Sequence, residues 1–136
     1  MGIWGAGAFE NDTAADWVYG LGEVSDLSLI AGTLDRALAF GDDYLEAPDA
    51  QEAIAAAEAV ARLLGRFGER NDYTRPMDDW VSWMTETPPP GLVSKARLIL
   101  SRIQREPSEL LALWAESGRG EAWLGSLAEL AGRLGD

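Results

Sequence analysis

Along most of this chain apolar residues recur at intervals of three and four, the spacing that places them on one stripe of an α-helix. Ala14, Trp17, Val18 and Leu21 make the first stripe, and Gly20 and Gly22 end it. Asn11 or Asp12 stands where a side-chain oxygen caps the free amides of a first turn. Leu27, Ile30, Leu34, Ala37 and Leu38 predict a second helix, capped by Ser25 or Asp26 and running to about Phe40 before Gly41 stops it. From about Pro48 the stretch PDAQEAIAAAEAVARLLGRF predicts a long alanine-rich helix ending at Phe67. Ala53, Ala57, Val60, Leu64 and Phe67 form its main apolar face, with Gln51, Glu58, Arg62 and Arg66 opposite. Glu58 and Arg62 are a favourable i,i+4 pair. Ala55 and Ala59 lie on that polar side and leave room for a second helix to approach, so this element is expected to sit at the centre of the packing.

Beyond the GERNDYTR loop, Met77, Trp80, Val81 and Met84 predict a short helix from Thr74 or Pro76 to Thr85, with Trp83 at the edge of its stripe. TPPPG interrupts it, because each proline lacks an amide donor. LVSKARLILSRIQRE follows as a helix carrying Lys95, Arg97, Arg102 and Arg105, and Pro107 reads as the first position of the next. Leu110, Leu113 and Trp114 mark that helix; Trp123, Leu127, Leu130 and Leu134 mark the last. No stretch alternates as a strand requires. The expected fold is all-α: one compact domain over residues 1–136, with six or seven helices packed as hairpins and an irregular Gly/Trp-rich N-terminal arm.

Composition narrows the chemistry. Cysteine and histidine are both absent, which excludes a thiolate nucleophile, a Ser-His-Asp or Cys-His catalytic set and a structural zinc site. No cofactor and no metal site are expected on that basis. The formal net charge of −12 repels nucleic acid and the anionic face of a membrane, and attracts a basic protein or divalent cations. The first basic residue is Arg36, so the opening lacks the charged region of a signal peptide, and Ala6 stands where myristoylation needs Ser or Thr. No apolar run reaches the roughly 18 residues that span a bilayer. A cytoplasmic location is expected.

The opening MGIWGAGAFENDTAADW raises the question of a phosphate cradle at Gly5-Ala6-Gly7. No strand precedes it, position 10 is Glu where a third glycine belongs, and carboxylates crowd the helix start a phosphate would use. The stretch reads instead as a plug made by Trp4 and Phe9, followed by a helix cap, with Asp12 and Asp16 suited to the helix dipole. It resembles the M-G-x-W-G-x-x-x-F-x-N-D-x-A-x-D-W opening of a bacterial family of small proteins of unknown function, domain of unknown function 4259. GDDYLEAPDAQEAIAAAEAVA and LLALWAESGRGEAWLGSLAEL are similar to that family's middle and final blocks. The resemblance singles out Trp4, Phe9, Asn11, Asp12, Asp16, Trp17, Asp42, Asp43, Tyr44, Glu46 and Pro48 and implies a role for none of them.

Asp42, Asp43, Glu46 and Asp49 are the candidates for chemistry, since a hard cation wants several oxygens around one point. Their order is not that of an EF-hand loop, and a solvated helix entry, with Asp49 near the helix N-terminus and Tyr44 packed on the surface, is the favoured explanation. Asp12 or Asp16 would complete a carboxylate pair if the two segments met. Trp83, beside the prolines, is a candidate for an exposed interface aromatic. The leading expectation is a non-enzymatic module that binds a protein partner, a basic one by the charge argument, as an inhibitor or immunity-type protein does; binding sites are sought among Trp4, Asn11, Asp12, Asp16, Asp42, Asp43, Tyr44, Glu46 and Trp83. A homo-oligomer closed through Trp83 is open too. The alternative is a magnesium- or calcium-dependent enzyme built on Asp42, Asp43 and Glu46.

Overall fold

The computed structural model describes residues 5–135. Seven helices follow one another in the described chain: α1 (Asp12–Leu21), α2 (Ser28–Leu38), α3 (Ala47–Leu63), α4 (Arg75–Trp83), α5 (Pro90–Ile103), α6 (Glu109–Ser117) and α7 (Gly120–Leu134). No strand forms among the described residues; a single parallel bridge joins Leu45 to Ser108. The fold is all-α.

Local rules explain most of the ends. Asn11 is extended and its Oδ1 accepts from the Ala14 amide at 2.8 Å, which starts α1 where a cap was expected. The second helix begins later than Ser25 or Asp26, because the Asp26 carboxylate turns back to the Ser28 amide (3.0 Å) and hydroxyl (2.6 Å) before the helix starts. α3 stops at Leu63, short of Phe67, because Gly65 takes φ +82°, a left-handed conformation that glycine adopts freely. Pro90 is the first residue of α5, so the helix starts inside the proline run. Pro107 lies before α6; Ser108 caps that helix and Glu109 opens it.

α3 packs against every other helix. Ala53, Ala55, Ala56, Ala57, Ala59 and Ala61 have no exposed surface at all, so helices close on both its sides, as Ala55 and Ala59 led one to expect. The face carrying Gln51, Glu58 and Arg62 is therefore buried too. Trp17, Trp80, Trp114 and Trp123 all lie in the core. Trp17 Nε1 donates to Thr33 Oγ1 at 2.8 Å and Trp80 Nε1 to the Val24 carbonyl at 2.9 Å, so two of these indoles hold helices together with a directed bond as well as by area.

Candidate functional site

The loop that enters α3 is built around an arginine. Arg102, on α5, is buried and sends Nε to the Gly41 carbonyl (2.7 Å) and Nη2 to the carbonyls of Asp43 (2.7 Å) and Pro107 (2.9 Å). The Leu45 amide bonds the Pro107 carbonyl at 3.2 Å, the Glu109 amide bonds the Leu45 carbonyl at 2.9 Å, and Glu109 Oε1 caps the Ala47 amide at 2.7 Å. The backbone is thus clasped from inside and the side chains of Asp42, Asp43, Tyr44 and Glu46 face solvent. Asp42 reaches Arg105 at 3.2 Å. Partial desolvation, then the charges of Glu109 and Glu46, push the exposed Tyr44 hydroxyl above its ordinary value. Among the described residues no three carboxylates converge as a metal ion requires. Asp12 and Asp16 are exposed on α1 and form no ion pair among the described residues. Trp83 is 52% exposed, with its ring 6.1 Å from that of Trp80 in an edge-to-face contact. Trp4 lies outside the described residues.

The opening glycines hold no ligand-ready cradle. The Gly7 amide donates to Glu10 Oε1 at 2.8 Å, so the chain's own carboxylate occupies the place an anion would take. A Cβ on Gly7 would stand 2.6 Å from that oxygen and one on Gly5 2.8 Å from it, which is why both positions admit this close approach. Ser126 Oγ donates to the Ala6 carbonyl at 2.9 Å and Phe9 is buried, so the described part of the arm plugs its own chain.

Beneath the arm, charged side chains from distant segments meet in a buried network. Arg62, 2% exposed, is flanked by the rings of Phe9 (5.7 Å) and Phe67 (5.6 Å). It donates to Glu58 Oε2 at 3.2 Å, Asp78 Oδ1 at 2.6 Å and the Glu69 carbonyl at 2.7 Å. Arg133 of α7 bonds both oxygens of Glu58, with Nη2 2.9 Å from Oε1, and pairs with Glu129 at 2.5 and 2.8 Å. Burial works against the charge of Arg133, but its hydrogen bonds to Glu58 and Glu129, and the charges of those carboxylates, outweigh it and hold the guanidinium above its usual value. Thr74 and Arg70 complete Asp78. Glu58–Arg62 and Glu129–Arg133 are both i,i+4 pairs; what spacing does not show is that Asp78 and the Glu129–Arg133 pair come in from distant segments to join Glu58 and Arg62. A half-open cavity of about 120 Å³ adjoins this network, lined in part by Glu10, Glu58, Arg62, Tyr73 and Arg133. Every buried side-chain polar atom among the described residues has a partner, so the network closes on itself and ties α3, α4 and α7 together.

A family described as Domain of unknown function (DUF4259) matches residues 2–126. The chain belongs to that family. Its match spans the arm, the clasped loop and all helices but the end of α7. Neither the curated proteins nor the solved structures contain a match to this chain.

Proposed function

We propose that this member of the family is a non-enzymatic, cytoplasmic binding module that docks through its acidic surface on a basic protein, in the manner of an inhibitor or immunity protein. The observation that carries the reading is where the cations go. Of the 11 Lys and Arg in the chain, Arg62, Arg102 and Arg133 are turned inward, to buried carboxylates or backbone carbonyls. Arg36, Arg70, Arg75, Lys95 and Arg105 are matched to a carboxylate each. Against 23 acidic residues these cations leave an excess of carboxylates, among them the exposed Asp12, Asp16 and Glu23, with no cation at ion-pair distance among the described residues. Asp12, Asp16, Tyr19 and Glu23 recur at helical spacing along one exposed side of α1 and its end, with Tyr19 78% exposed among the carboxylates. A negative field speeds encounter with a positive partner, and an exposed aromatic gives the contact an anchor.

The test is capture from native lysate at low ionic strength, followed by binding of the purified captured protein across a salt series. The reading expects a protein of basic surface whose affinity falls steeply with salt. A partner of acidic surface, or binding indifferent to salt, overturns it.

A further inference from the structure

A broad groove of about 720 Å³ opens where the first turns of α2 and α5 diverge, between Leu27, Ala31, Pro89 and Leu92. Its floor is apolar; Asp26 and Glu86 stand at its rim. Trp83, exposed three residues before Glu86, contacts Trp80, whose indole is bonded to Val24 just ahead of Asp26. Two helix starts in one groove would ordinarily suit an anion. Here several elements of such a site are already taken or missing. The Asp26 carboxylate takes both the amide and the hydroxyl of Ser28. Pro88, Pro89 and Pro90 have no amide hydrogen to offer at the head of α5. Lys95, the groove's cation, is bound to Asp35 at 2.6 Å. What remains unmatched at the rim is negative, beside apolar surface of a size that holds several side chains.

We infer that this groove is the seat for a basic, apolar-anchored segment of the partner: a hydrophobic side chain enters between Leu27, Ala31 and Leu92 while flanking Lys or Arg face Asp26 and Glu86. The inference rests on the docking reading above and gives it a place and an occupant. An anionic ligand is the competing occupant.

Gly91 provides a test that spares the fold. It lies exposed in the first turn of α5, a Cβ there meets nothing within 4 Å, and its backbone is not left-handed. Gly91 lines the groove, so Gly91→Trp sets a bulky side chain at its wall, and Gly125→Trp, at an equally open position on α7, is the control with the same charge. The probes are a short peptide with a Leu-Phe pair flanked by lysines, its counterpart of equal charge with both apolar residues replaced by serine, and inorganic phosphate. Amide chemical shifts are followed in titrations of each protein, after melts show that both variants are folded. The proposal expects shifts gathered at residues 26–31 and 86–95 with the apolar peptide. It further expects about tenfold or greater weakening by Gly91→Trp, none by Gly125→Trp, and a similar loss with the serine peptide. Equal binding of both peptides, spread over the acidic surface and indifferent to Gly91→Trp, overturns the groove and leaves acidic docking standing. No binding of either peptide at low salt overturns both, and phosphate shifting the groove residues in place of the peptide overturns the stated occupant.

Discussion

Arg62 joins several segments of the chain at one buried point. Its guanidinium joins Glu58, Asp78 and the Glu69 carbonyl and is covered by Phe9 and Phe67, so it fixes the arm, α3, the following loop and α4 together. Removing one partner of a buried charge network strands the others, and that costs more than the network itself contributes. Arg62→Met is expected to lower the unfolding free energy by about 3–5 kcal/mol, read from urea denaturation. Wild-type stability in that variant would show the network to be dispensable. Glu52 poses a smaller question. Burial, helped by Asp49 and opposed by Arg36, raises its carboxyl above the ordinary value. A raised acid favours folding while protonated and loses that advantage as pH rises through its folded value. Glu52→Gln should therefore gain stability relative to wild type on going from acid to neutral pH, in paired melts; a difference that is constant or falls with pH contradicts the shift.

Among the elements, α3 decides the arrangement, and it was also the most legible. Small residues on its polar side pointed to a central position, and all six other helices do meet it. What spacing alone hid was that Glu58 and Arg62 are buried with it, because their partners come from α4 and α7. Element ends were legible where one residue sets them, as Asn11 does, and misplaced where a local side-chain bond or a left-handed glycine intervenes, as at Asp26 and Gly65. The clasp made by Arg102 was invisible for the same reason as the network: two of its acceptors are backbone carbonyls from the loop 59 and 61 residues away. A central helix with no spare volume resists growth. Ala59→Leu is expected to cost about 1–3 kcal/mol or more in chemical denaturation, and a neutral result would mean that the helices beside α3 can separate freely.

For the whole molecule the governing quantity is the imbalance of 11 cations against 23 anions, with the cations largely engaged inside or paired. This bears first on divalent ions. Asp42 faces Arg105, and no three carboxylates converge among the described residues. Magnesium or calcium should therefore raise the melting temperature by diffuse screening alone. The rise should be equal in wild type and in Asp42→Asn/Asp43→Asn and be reproduced by sodium chloride; a larger rise confined to wild type would restore the metal-dependent alternative.

It bears most on association. Charge at the surface acts on the rate of encounter, which falls with ionic strength when opposite fields draw partners together. The deciding measurement is the association rate of the captured partner with wild type and with Asp12→Asn/Asp16→Asn, from low to high salt. Docking through the acidic surface predicts a rate that drops by about tenfold or more over the series, with a slower rate and a shallower salt slope in the variant. A rate insensitive to salt and unchanged in the variant would contradict it.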